Sequence, residues 1–254
     1  MNPAWMQGWP RAATASLLVA LLGLGGCATM PYSAAQTRDP WESMNRRVFA
    51  FNEVVDQVAV KPAALLYQGL VPNLVRTGVR NVFANVGDGW TAANLLLQAK
   101  PRQAMEMGFR TLVNTTIGLG GMMEVAEEMG LERFTSEDFG QTLGYWGIKS
   151  GPYVVLPLLG PSNLRDSVAL AADFKDSGAS ALWHEPRDRT AATVLQLLDT
   201  RVKLLNAGRV LDEIALDKYV LLRDAYLARR RSLIYDGDPP EDEAAPAPFK
   251  NLIK

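Results

Sequence analysis

The stretch Asp39-Pro40-Trp41-Glu42-Ser43-Met44-Asn45-Arg46-Arg47-Val48-Phe49-Ala50-Phe51-Asn52, running on to Lys61-Pro62, decides the fold class. Asp39, Pro40 and Glu42 read as a helix start: a capping carboxylate, a proline in the first helical position, and an acid favoured by the helix dipole. Beyond them Trp41, Met44, Val48, Phe51, Val55 and Val58 recur at steps of three and four. That spacing lines one face of an α-helix with apolar side chains, and Phe49 and Val54 widen the stripe. Lys61-Pro62 is expected to end it.

The same period continues downstream. A second helix is expected after Pro72, with Val75, Val79, Val82 and Val86 on one face and Arg76 and Arg80 off it, breaking at Gly87-Asp88-Gly89. Trp90 to Leu97 is short and apolar, and Pro101 opens a helix carrying Met105, Phe109, Leu112 and Val113. Gly118-Leu119-Gly120-Gly121 should interrupt it, since each glycine costs a helix about 1 kcal/mol relative to alanine. Met122, Val125, Ala126 and Met129 then form a brief amphipathic turn. From Phe139 to Pro161 the glycines at 140, 144, 147, 151 and 160 and the prolines at 152, 157 and 161 argue against a regular helix. With Leu143, Tyr145, Trp146, Ile148 and Tyr153-Val154-Val155-Leu156 between them, this is a long apolar loop or hairpin, a kind of segment that commonly carries function. Helices resume at Leu164, Val168 and Ala171, from Val194 to Leu205 with a stop at Gly208, and from Leu216 to Tyr235. The reading is one mainly α-helical domain.

Composition narrows the function. The chain has 254 residues, 48% hydrophobic and 21% charged, with 26 Lys and Arg against 27 Asp and Glu. A balance so close to neutral argues against nucleic-acid binding. One Cys and one His leave no zinc set and no internal disulfide. His184 has no Gly-x-Ser-x-Gly nucleophile to serve. Gly87-Asp88-Gly89-Trp90-Thr91-Ala92 matches a loose dinucleotide pattern, but it follows a helix where that mechanism needs a strand. Glu124, Glu127 and Glu128 read as solvated acids on a short turn. Arg229-Arg230-Arg231 suits either anionic head groups or the negative end of a helix dipole. No catalytic residue and no metal ligand is assigned.

The first thirty residues bear on compartment. Arg11 precedes the uncharged run Ala12 to Gly26, short for a membrane span and suited to a signal-peptide core. It ends Leu24-Gly25-Gly26-Cys27, a lipobox pattern in which Cys27 receives a diacylglycerol and an N-acyl chain, and Ala28 in the next position favours the outer membrane. Acyl chains contribute about 0.8 kcal/mol per buried methylene, so they anchor a chain that has no spanning helix. The expected organisation is a signal peptide at 1–26, a lipidated tether at 27–38, a helical domain at 39–235 and a disordered acidic, proline-rich tail at 236–254. Amphipathic helices and an apolar loop with a single charge, Lys149, beside such an anchor point to a lipid-handling surface.

Several ordered blocks give this sequence a family resemblance. Asp39-Pro40-Trp41-Glu42-Ser43-Met44-Asn45-Arg46 with Val48-Phe49-Ala50-Phe51-Asn52 and Lys61-Pro62 resembles the opening signature of the MlaA/VacJ outer-membrane lipoproteins. Asn114-Thr115-Thr116-Ile117-Gly118, Phe139-Gly140-Gln141-Thr142-Leu143-Gly144, Gly151-Pro152-Tyr153-Val154-Val155-Leu156-Pro157, Leu164-Arg165-Asp166 and, more weakly, Arg223-Asp224-Ala225-Tyr226 continue it. The resemblance spans Arg38 to Tyr235; Trp41 departs from the Leu or other large apolar residue expected there.

The resemblance implies a ring of amphipathic helices in the inner leaflet of the outer membrane around an amphipathic channel. Such a protein removes misplaced phospholipid from the outer leaflet and passes it to a soluble periplasmic carrier that serves an inner-membrane ABC transporter. It associates with trimeric porins and needs no cofactor. The implied sites are Cys27 for lipidation, Phe49, Phe51, Leu143, Trp146, Ile148 and Tyr153 for lipid contact along the channel, and Gly144 and Gly147 as hinges. The alternatives are a structural envelope lipoprotein without transport and a lipid hydrolase.

Overall fold

The structure, a computed structural model, describes residues 39–176 and 185–240. The chain divides into residues 1–34 and 35–254, and every described residue belongs to the second unit. Cys27, the signal segment, the whole tether, His184 and the tail beyond 240 lie outside the described residues.

The apolar stripe forms helix α1 (Glu42–Val55). Asp39 does not cap it: the helix begins behind Trp41 without a side-chain cap. Asp39 is instead buried, accepting hydrogen bonds from Asn45 Nδ2 at 2.8 Å and from the Tyr219 hydroxyl. Lys61-Pro62 does not end the helical run either. A π-helical segment (Asp56–Val60) leads straight into α2 (Lys61–Leu70). Pro62 removes one donor from an α-helical ladder, and the wider i→i+5 bonding, with Lys61 N–H on the Asp56 carbonyl, absorbs that break.

Helix α3 (Asn73–Leu97) runs unbroken through Gly87 and Gly89, contrary to the expected break. Packing overrides the weak propensity of two glycines, because α3 lies along α4 (Pro101–Thr116) and a Cβ on Gly89 would sit 3.7 Å from Thr111. The Gly118–Gly121 break is present, with positive φ at Leu119, Gly120 and Gly121. A single turn, α5 (Val125–Glu128), follows.

The Gly/Pro-rich segment holds more regular structure than expected. Phe139–Tyr145 is a short helix, α6, and an antiparallel hairpin pairs β1 (Tyr153–Leu156) with β2 (Gly160–Asn163), Tyr153 opposite Asn163. Helix α7 (Leu164–Asp176) follows directly. Helix α8 (Pro186–Ile214) passes through Gly208, which does not stop it, and α9 (Lys218–Ile234) closes the described chain. One internal glycine costs about 1 kcal/mol, too little to break a helix of this length.

Two asparagines tie α1 to the hairpin. Asn45 donates to the Tyr153 carbonyl at 3.1 Å and accepts from Val155 N–H at 2.9 Å. Asn52 donates to the Leu156 carbonyl at 2.9 Å and accepts from Leu158 N–H at 2.8 Å. Seven helical residues rise about 10.5 Å and three strand residues about 10 Å, so the two amides reach along β1 much as another strand would. The hairpin is held to the first helix, not left loose.

Among the described residues, buried apolar side chains form three small clusters. Phe83 meets Ala192, Leu95 meets Ala104 and Met107, and Tyr153 meets Val155 and Tyr219. Among the described residues no single helix is long and apolar enough to cross a membrane. Glu42–Leu70 and Asn73–Leu97 meet that test only as a pair, and they are bent 120° apart.

Candidate functional site

Polarity in this fold is turned inside out. Val58 is 74% exposed, Leu66 63% and Leu74 84%, and Met44, Phe51, Leu112 and Met123 are exposed as well. The most enclosed large side chains include Arg110, Gln98, Gln141, Asn45, Asn94 and Asn114. Exposed large apolar side chains in such number suit an apolar surrounding better than water, and buried polar groups are tolerable only when paired. Most of the interior meets that condition; among the described residues the Tyr67 hydroxyl, Asn85 Oδ1 and Gln141 Oε1 are buried without a hydrogen-bond partner.

The first polar network joins α3, α4 and the segment after the glycine break. Arg110 Nε donates to Asp88 Oδ2 at 3.2 Å, and its two terminal nitrogens reach the Leu131 carbonyl and Glu124. Arg133 meets the same Asp88 oxygen at 2.9 Å and Glu124 at 3.2 Å. Asn114 donates to Glu124 at 2.6 Å and accepts from Ala126 N–H, fixing α5. Two arginines and two carboxylates close on each other. Glu124 is therefore an ion-paired residue, not the solvated acid the sequence suggested.

A second network runs along the neutral amides. Thr142 donates to Asn94 at 2.8 Å, and Gln98 donates to Glu137 at 2.8 Å and to Thr142 at 3.2 Å. Burial pushes the Glu137 carboxyl above its ordinary value, outweighing the Gln98 hydrogen bond.

The third network centres on Arg230, which pairs with Asp138 through both terminal nitrogens and with Asp166 through Nε at 2.8 Å. Asp138 caps α6 by accepting from Gln141 N–H at 2.8 Å. Asp166 also accepts from Arg165 at 2.7 Å, Tyr226 at 2.9 Å and Asn163 at 2.6 Å. Burial alone would raise the Asp138 carboxyl, but the Arg230 hydrogen bonds and charge more than offset it, and its pKa lies below the usual value. A depressed carboxylate stabilises the fold above its unfolded pKa, about 3.9, and that contribution is lost as pH falls through the folded value. Asp138→Asn is expected to cost about 1–2 kcal/mol at pH 7. The melting-temperature gap to the unchanged protein should narrow below about pH 4; a gap that holds constant to pH 3 contradicts the assignment.

The expected lipid-contact residues fall into two groups. Phe51, Trp146 and Ile148 are exposed, with Trp146 Nε1 donating to the Leu97 carbonyl at 3.0 Å. Leu143 is half-buried. Tyr153 is 1% exposed and packs against Tyr219 and Tyr226, so its ring meets protein rather than lipid. Phe49 is half-buried with its ring edge-on to Tyr219 at 5.7 Å and belongs mainly to the same cluster.

The two glycines separate too. Gly147, at φ +87°, ends α6 in the left-handed region, with its N–H on the Gly144 carbonyl and Ile148 N–H on Leu143, a Schellman closure. Gly144 lies within α6, where a Cβ would come within 2.6 Å of Arg165 Nη1 and 2.9 Å of Ile234. It serves close packing. On the outer face of α4, an open apolar surface depression is lined by Met105, Gly108, Phe109, Leu112 and Leu131 with Glu106.

The sequence reading missed Asp88, Arg110 and Arg133, which are distant along the chain. The signal available was an acid flanked by two small residues inside an apolar helical pattern, which reads equally as a break.

Comparison with known proteins places this architecture. Residues 37–233 match the family model described as MlaA lipoprotein. The "Intermembrane phospholipid transport system lipoprotein MlaA" of Escherichia coli strain K12 is 33% identical over 230 residues, covering 88% of this chain and 90% of that one. The protein of the same description from Haemophilus influenzae is 29% identical over 231 residues, covering 88% and 92%. An uncharacterised protein of Rickettsia felis is 35% identical over 214 residues, covering 83% and 82%. A solved structure described as "Structural basis for maintenance of bacterial outer membrane lipid asymmetry" superposes with a TM-score of 0.68 at 32% identity, covering 77% of this chain and 98% of the other. The chain belongs to the MlaA lipoprotein family.

Proposed function

We propose that this chain moves phospholipid out of the outer leaflet of a bacterial outer membrane, as a lipid-anchored component of an intermembrane transport system. The observation that carries this reading is the inverted polarity: apolar side chains face outward while paired arginines, carboxylates and amides fill the interior. Hydrocarbon accepts the first, and an unpaired ion moving through that hydrocarbon would cost several kcal/mol. A polar passage bounded by helices lowers this barrier without chemistry, so the reading assigns no catalytic step. The ring of helices, its channel, the acylation of Cys27 and docking to a trimeric porin belong to this proposal. So does hand-over to a soluble periplasmic carrier. A passive passage sets no direction, which must come from the carrier and the pump behind it.

Mass spectrometry of lipids extracted from the purified full-length lipoprotein is expected to find phospholipid retained in stoichiometric amount. Cells lacking the protein should present more phospholipid to a membrane-impermeant amine reagent. A protein that retains no phospholipid, with unchanged surface labelling in the deletion strain, favours the purely structural lipoprotein. Release of fatty acid or lysolipid from vesicles favours the hydrolase.

A further inference from the structure

The two arginine networks described above match each cation with a carboxylate, and one further cluster carries an excess of cations. On α3, Arg80 grips Asp199 of α8 through two hydrogen bonds of 3.1 Å each. Lys203, one turn further along α8, lies 3.7 Å from the same carboxylate. Asp199 is almost sealed, its side chain 5% exposed, while Arg80 and Lys203 stay open at 31% and 47%. Two cations share one acid.

Arg76 adds a third positive charge one turn before Arg80 on the same helix face, where like charges repel. Its Nε donates to the Val71 carbonyl at 3.1 Å, and among the described residues no carboxylate lies within ion-pair distance of it. The Tyr67 hydroxyl, which feels the charges of Arg76, Arg80 and Asp199, is buried and has no hydrogen-bond partner among the described residues. Leaving a buried hydroxyl unpaired costs a protein stability, so a site that keeps one is suited to a partner arriving from elsewhere. Burial and the Arg80 charge pull the Lys203 ammonium below the usual lysine value, and Asp199 does not restore it. The local field is positive.

We propose that Arg76, Arg80, Lys203 and Tyr67 form a recognition site for the phosphodiester of a phospholipid head group. This deepens the transport reading and rests on it. The chemistry is complementary: guanidinium and ammonium supply donors only, the Tyr67 phenol has an O–H to donate, the one carboxylate is already taken by Arg80, and a phosphodiester brings acceptor oxygens and one negative charge. Asp199 then has a definite role. It holds Arg80 in place while the Lys203 charge stays available.

The test uses the purified full-length lipoprotein with an equimolar mixture of phosphatidylglycerol and diacylglycerol of matched chains, retained lipid being read by mass spectrometry. The variants are Arg76→Gln and Lys203→Gln, singly and together. Both leave Arg80 on Asp199, so neither strands the buried carboxylate, and circular dichroism melting checks the fold. The unchanged protein is expected to prefer phosphatidylglycerol, and the double variant to lose about tenfold of that preference. A preference that is absent from the unchanged protein, or unaltered in a folded double variant, overturns the site while leaving lipid transport standing. No retained lipid of either kind overturns the transport reading and the site with it. A competition arm adds inorganic phosphate alone: failure to displace the lipid supports the head group as ligand, and displacement abolished by the same double variant shows a free-anion site and overturns the head-group assignment.

Discussion

Arg110→Met is expected to destabilise the fold by about 3–5 kcal/mol, because it removes one partner from a buried charge cluster and leaves the rest. Arg110 is 1% exposed at its side chain and Asp88 is 7%. Without Arg110, Asp88 and Glu124 share only Arg133, which is 40% exposed and can supply one positive charge for two acids. Methionine fills a similar volume, so lost packing is a small part of the loss. For a domain of this size the melting temperature should fall by about 10 °C, readable by circular dichroism in detergent.

Adding Asp88→Asn to that variant should recover part of the loss, since the worst stranded charge is gone. The exposed pair Arg102–Glu106 supplies the contrast: Arg102 is 90% exposed, and Arg102→Met is expected to cost under about 0.5 kcal/mol. An Arg110→Met protein within 1 kcal/mol of the unchanged one would mean that the network is not the framework of the interior.

Helices with a strong apolar period were legible from spacing alone, because hydrocarbon outside and a core inside both reward an apolar stripe. That equivalence also hid which way the stripes faced. Phe51 and Val58 point outward, while Phe49, one position before Ala50, turns toward Tyr219. Glycines and prolines were the poorest guide. Gly87, Gly89 and Gly208 lie inside long helices, and Pro62 is carried through by a π segment. Their local cost is about 1 kcal/mol for each glycine, whereas helix packing supplies several times that, so long-range contacts decide. The polar interior was invisible for a related reason. Asp88 read as part of a helix break and Glu124 as a solvated acid, nothing in the spacing singled out Arg110 or Arg133, and only the folding of α3 against α4 and the following segment brings the four together. Asn45 and Asn52 were nearer to view: two amides seven residues apart on an apolar helix face have no reason to be there unless something polar lies opposite.

The two glycines of the α6 segment should part company when each gains a methyl group. In a helix interior Gly→Ala ordinarily stabilises by about 0.5–1 kcal/mol. At Gly144 the sign should reverse, to a loss of about 3 kcal/mol, because the new Cβ would meet Arg165 Nη1 at 2.6 Å and Ile234 at 2.9 and 3.0 Å. Arg165 cannot swing aside cheaply. It is buried, its Nη1 donates to the Ile148 carbonyl at 3.1 Å, and its other nitrogens hold Asp166. Gly147 faces open space, so Gly147→Ala meets no neighbour and costs only the left-handed backbone, about 1–2 kcal/mol. Melting curves of the two variants separate these causes. Surface phospholipid in whole cells then tests the hinge: if motion at Gly147 gates lipid passage, Gly147→Ala raises surface phospholipid although the protein stays folded. Unchanged surface phospholipid in a stable Gly147→Ala strain would remove this residue from the transport mechanism and leave it as a helix terminator.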